Sequence, residues 1–131
     1  MGDNAGFNPN KSRVSDDTMS VFIRSNIKGE ITEVPGIGAG AAKKLAASED
    51  QITNTYQLIG KFLLLKGPDD EEKVESVEHM EKFWHWLSEV GINAHRSAIV
   101  RAIAEKMDIS YPGIYDATYY EQDEDDDDDD E

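Results

Sequence analysis

Met19, Phe22, Ile23 and Ile27 recur at helical spacing behind Ser15, and Gly29 follows them. That pattern predicts an amphipathic helix capped by Ser15 and ended by Gly29, with Asp16 and Asp17 in its first turn, where the helix dipole favours acids. A short helical turn over 30–34 leads to Pro35-Gly36-Ile37-Gly38, and the alanine-rich stretch 39–47 predicts the next helix. Thr53 or Thr55 caps a further helix reaching Lys66, where Gly67-Pro68 stops it. Its residues Tyr56, Leu58, Ile59, Phe62, Leu63 and Leu65 are apolar on nearly every side, so it must bury more than one face or offer one to a partner. Val74, Val77, Met80, Phe83, Trp84, Leu87 and Val90 predict a fourth long element ended by Gly91. Asn93 caps another, whose stripe of Ala98, Ile99, Ala102, Ile103 and Met107 runs to the break at Tyr111-Pro112-Gly113. No segment of useful length alternates with strand period. The expected fold is all-α, a compact bundle of five or six short helices.

Charge divides this chain of 131 residues more sharply than hydropathy does. Ten of its 28 acids lie in residues 121–131, which leaves 18 acids against 13 bases in residues 1–120. The formal net charge of -15 therefore describes the tail more than the body. A second acidic block, 67–81, is expected as an exposed loop or helix face. Residues 1–14 are Gly/Asn-rich and are expected as a flexible arm, 15–110 as the helical domain, and 111–131 as a C-terminal segment ending in the disordered acidic tail 121–131. No cysteine is present, so disulfides and thiolate metal sites are excluded. No apolar run reaches the length of a membrane span, so no membrane insertion is expected.

The chemistry is concentrated in "EVPGIGAGAAKKLA", residues 33–46. Ile31, Val34, Ile37, Ala42 and Leu45 can pack two short helices across a hairpin at 30–47, a helix-hairpin-helix. Gly36 and Gly38 allow backbone angles closed to other residues and leave the hairpin bare. The amides of Gly38, Gly40 and Ala41 then face outward at a helix N-terminus, where free N–H groups and the dipole can hold a phosphate without side-chain charge. A P-loop frame is absent, because Lys43-Lys44 lacks the required glycine spacing and hydroxyl residue. The chain also repeats itself weakly, with "EVGINAHRSAIVRAI" (89–103) laid over the hairpin so that Gly36 falls on Gly91, Gly38 on Asn93 and Ala39 on Ala94.

Residues 31–107 resemble the barrier-to-autointegration factor family, small dimeric proteins that bind double-stranded DNA in metazoan nuclei. Three stretches carry the resemblance: "VPGIGAGAAKKL" (34–45), "LIGKFLLLK" (58–66) and "FWHWLSEVGINAHRSA" (83–98). It implies that the backbone of Gly36, Ile37, Gly38, Gly40 and Ala41, supported by Lys43 and Lys44, contacts duplex phosphates. Ala94, His95 and Arg96 match a second phosphate contact. Gly60, Phe62, Leu63 and Trp86 fall in the family's dimer and partner-binding region, with Trp86 matching a core tryptophan. His95 stands where the family has a contact lysine and Ala98 where it has an arginine, and Arg96, one helical step away, is the compensating cation. The loop beginning at Gly67 is about ten residues longer than the family's, Lys82 falls near a leucine used for LEM-domain partners, and the acidic tail has no counterpart.

His79 and His85 are six apart, a spacing that sends them to different sides of a helix and speaks against a metal site. No nucleophile–base set or cofactor motif is recognisable, so no enzyme and no cofactor are expected. The expected function is sequence-independent binding of double-stranded DNA by a homodimer that bridges duplexes in chromatin, in the nucleus, with the cytoplasm as a second setting. LEM-domain-like proteins or histones are the expected protein partners. The alternative is an acidic helical module for a histone or other basic partner that has lost DNA binding.

Overall fold

The computed structural model describes residues 7–8, 14–66 and 75–116. The segments 1–6, 9–13, 67–74 and 117–131 lie outside the described residues, and with them most of the expected N-terminal arm, half of the acidic block and the acidic tail. The described chain is all-α. Five α-helices follow one another: α1 (Asp16–Arg24), α2 (Ala39–Ala47), α3 (Thr55–Leu64), α4 (Glu75–Val90) and α5 (Arg96–Ser110), with a single 3-10 turn (Ile31–Glu33) before α2. Among the described residues the nearest approach to a strand is one isolated bridge between Glu30 and Asn54.

Ser15 caps α1 by accepting the Thr18 N–H, with Asp16 and Asp17 in the first turn. The helix stops at Arg24, five residues short of Gly29. Its end is held from a distance: the Lys106 ammonium of α5 donates to the carbonyls of Phe22 (2.9 Å), Ile23 (3.1 Å) and Ser25 (2.5 Å). A cation on the terminal carbonyls complements the helix dipole and satisfies acceptors that have no intrahelical partner. Gly29 instead turns the loop with φ +101°. Its carbonyl accepts from Thr55 N, while Glu33 gathers the Lys28 and Gly29 amides and the Thr55 hydroxyl. Burial pushes the Glu33 carboxyl up, but the donated hydrogen bonds outweigh it and the pKa is lowered.

Asn54, between the two threonines expected as caps, is the residue that caps α3, accepting from Gln57 N. From Glu75 onward the acidic block is helical, the helix-face alternative of the two expected for it. α4 ends in a Schellman turn, in which Ile92 N–H bonds Leu87 O, Gly91 N–H bonds Ser88 O, and Gly91 takes φ +106°. The buried side chains of Leu87 and Ile92 accompany it.

α5 packs against both α1 and α4, and its Ala98, Ile99, Val100, Ala102 and Ile103 have no exposed surface. Met19, Leu45, Leu58, Phe62, Met80, Phe83 and Leu87 meet this helix in one core. The outermost described segments also reach the body. Phe7 is buried and sits edge-on to Tyr115, so the arm is anchored at that residue rather than free, and Ile114 and Tyr115 fold back onto the body. Among the described residues no helix is long and apolar enough to cross a membrane.

Candidate nucleic-acid interface

The hairpin opens α2 as a bare surface. Gly38 is the N-cap, with no side-chain cap, and the first intrahelical bond runs from Ala42 N to Gly38 O at 2.9 Å. The amides of Ala39, Gly40 and Ala41 are thus the orphan donors of the first turn. Gly38, Ala39 and Gly40 are exposed, and a Cβ placed on Gly38 or Gly40 would meet nothing within 4 Å.

The glycines of the hairpin do different work. Gly36 has φ +97°, and a Cβ there would come within 2.9 Å of Ile99 Cγ1 and 3.2 Å of His95 Cβ. Both its angle and its packing exclude a side chain. Gly38 has φ -102° and ψ -167°, ordinary extended backbone, which corrects the expectation that it supplies an angle closed to other residues. Ile37 is likewise not a surface contact. Its side chain is buried and its N–H is bonded to Val34 O, because the hairpin needs an apolar anchor there.

The contact of Gly36 with His95 and Ile99 sets the hairpin directly against the turn that opens α5. That turn is the second half of the internal repeat. Asn93 does not cap it; His95 does, in the left-handed conformation at φ +62°, without a side-chain hydrogen bond. Histidine tolerates that region better than most residues. The first α5 bond is Ile99 N to His95 O at 3.0 Å, so the amides of Arg96, Ser97 and Ala98 precede it as the first-turn donors. Ala98 is fully buried, so its amide is out of a ligand's reach and Arg96 and Ser97 are the donors left, whereas Ala94 and His95 are exposed.

Three side chains give the interface its positive charge. Lys43 is exposed and makes no ion pair among the described residues. Lys44 donates to Gly91 O at 2.9 Å and so ties α2 to the second turn, a bridging role that spacing alone could not reveal. Arg96 lies flat on Trp84, its guanidinium carbon 3.8 Å from the ring centroid. Behind these, Asn8 N–H donates to Ser97 Oγ and Phe7 N–H to Glu81, so Asn8 lies beside the start of α5 and Phe7 beside α4. Burial raises the Glu81 carboxyl, with the Phe7 amide and His85 acting against it.

Of the residues expected at a dimer or partner face, Phe62 is completely buried and Trp86 nearly so, with Phe62 edge-on to Phe83 and Trp86 stacked on it. The helical period carries both into this chain's own core, so neither can touch a partner in this conformation. Leu63 is half-buried against the core, and Gly60 is open. Tyr56, Gly60 and Leu64 share one face of α3 at four-residue steps, with Tyr56 59% and Leu64 74% exposed.

His79 and His85 do part company. His79 is buried, stacked on Phe62 at 4.2 Å, with Nε2 2.6 Å from Phe62 O and Nδ1 without a partner. His85 is exposed and faces Glu81 at 3.6 Å. Among the described residues no group of three His, Asp or Glu side chains could hold a metal ion. No family model, curated protein or solved structure matches the chain.

Proposed function

We propose that this protein binds the backbone of double-stranded DNA without reading its sequence, through the orphan amides at the start of α2 and α5. The observation that carries the reading is the pair Gly38 and Gly40. Neither is demanded by backbone angle or by packing within the chain. Bare glycines over unpaired, exposed amides are what a close-approaching phosphate requires. The neighbouring turn supplies a second set of donors and Arg96, and Lys43 adds an unshared cation. Contacts of this kind position a duplex and carry no base information, so different sequences should bind alike.

The resemblance to the barrier-to-autointegration factor family points the same way, and would set the protein's work in the nucleus as a homodimer that bridges duplexes. The exposed Tyr56–Gly60–Leu64 face of α3 supports pairing of two copies, since a large apolar side chain such as Leu64 gains by being covered. The acidic tail then acts as a modulator, a competing polyanion for the same donors.

The test is titration of a mixed-sequence labelled duplex with the full chain, residues 1–120 and Gly38→Glu, at two salt concentrations. The Cβ of a glutamate at 38 meets nothing within 4 Å, so the substitution fills the seat with negative charge without a clash at the backbone. Binding should fall at least about 100-fold, the scale of losing one or two charge-assisted hydrogen bonds. Removing 121–131 should tighten binding most at low salt. If neither full chain nor 1–120 binds at low salt, the seat is a structural turn and basic protein partners become the better reading.

A further inference from the structure

Arg96 is the arginine of the second turn, and it is held in place. An arginine at the first position of a helix is ordinarily a mobile side chain with several rotatable bonds. Here it is immobilised from below. Trp84 lies twelve residues back along the sequence on α4, nine-tenths buried, and presents its ring to the guanidinium at 3.8 Å. His85 closes edge-on against the same indole at 5.0 Å. Arg96 itself is only half-buried, makes no ion pair among the described residues, and so keeps its five N–H donors for something outside the chain.

A guanidinium stacked on an indole is stabilised by the ring quadrupole without spending a single N–H donor. It differs in that from a salt bridge, which would consume the donors and cancel the charge. The stack therefore fixes the position of a cation while leaving it able to grip an anion with two parallel hydrogen bonds. Its place at the opening of α5, beside the amides of Arg96 and Ser97, sets it where a phosphate held by those amides would sit.

We infer that Trp84 is a positioning residue: it holds Arg96 as a preset phosphate clamp, in place of the mobile contact that a lysine at position 95 would supply. The inference rests on the reading of the two turns as a phosphate seat. It assigns the second turn's side-chain contact to Arg96 rather than to His95, and it makes that contact depend on a tryptophan that touches no DNA.

The experiment is a double-mutant cycle on the full chain, with duplex affinity read across a salt series for wild type, Trp84→Phe, Trp84→Leu, Arg96→Gln and the two double variants. Arg96→Gln should lower the magnitude of the salt slope by about 0.9 for each seat occupied. Trp84→Leu should weaken binding roughly fivefold and Trp84→Phe by less, the order of the ring quadrupoles. In the Arg96→Gln background both Trp84 substitutions should be silent. A tryptophan that merely supports the fold would weaken binding by the same factor in both backgrounds, and that result would overturn the inference. Trp84→Phe keeps an aromatic ring in the core, so the cycle can be read even if Trp84→Leu fails to fold. Failure of wild type to bind duplex at all would instead overturn the phosphate seat itself, and the positioning role with it.

Discussion

The turn that opens α2 is bare, and the turn that opens α5 is furnished. The first consists of Gly38, Ala39, Gly40 and Ala41, with no side chain longer than a methyl group between the amides and solvent. The second begins at a left-handed histidine, carries an arginine pinned on Trp84 and has Asn8 bonded to it through Ser97. They are two solutions to one problem in an acidic protein. Backbone donors hold an anion without adding net charge, and a stacked arginine adds charge without mobility. Gly36 packed on His95 and Ile99, and Lys44 bonded to Gly91, make the two turns one surface.

Gly36→Ala should break the comparison most severely. A methyl group there must take a left-handed angle and press on Ile99 and His95, so stability should fall by about 1–3 kcal/mol, measured by urea unfolding. Duplex binding by the remaining folded protein should fall as well, because the turns no longer share a register. Lys44→Met is gentler. It removes the bond to Gly91 while leaving both helix starts intact, and a loss of affinity of a few fold, with little change in unfolding midpoint, is expected. An unchanged affinity would mean that the two turns act separately.

The smallest expected effect serves as a control, because it acts on the fold away from both turns. Burial lowers the His79 pKa below its ordinary value of 6.5, only partly opposed by the bond to Phe62 O, with Lys66 and Lys82 lowering it further. The unfolded chain therefore binds the proton more readily than the folded one. His79's contribution to stability is complete above about pH 6.5 and is lost as the pH falls from there towards the depressed folded value. Thermal melts from neutral to mildly acidic pH should show a fall that His79→Gln reduces.

The helices were largely readable from apolar spacing, and Ser15 and Gly91 were readable as punctuation because a cap and a Schellman glycine act within one turn of chain. What could not be read lies in contacts between distant residues. Lys106 looks like an ordinary surface lysine until α1 is docked 81 to 84 residues away, where its ammonium ends the helix early and leaves Gly29 in the loop. Phe7 looks like part of a polar arm until Tyr115 is beside it. Gly38 and Gly36 look equivalent in sequence, and only their φ values and their surroundings in the fold separate the glycine the fold needs from the one it does not. The candidate seat was visible at α2 because its amides follow from local geometry. At α5 the arginine was visible, but the stacking that holds it needed the packing of α4 on α5.

The measurement that goes straight to the shared seat is amide NMR of the 15N-labelled chain during titration with a short duplex. The orphan donors at Ala39, Gly40 and Ala41 and those at Arg96 and Ser97 should move downfield together and saturate at one duplex concentration, as one surface closing on a phosphate backbone. Shifts confined to one turn, or saturation at two different concentrations, would contradict the claim that the bare turn and the furnished turn form a single seat.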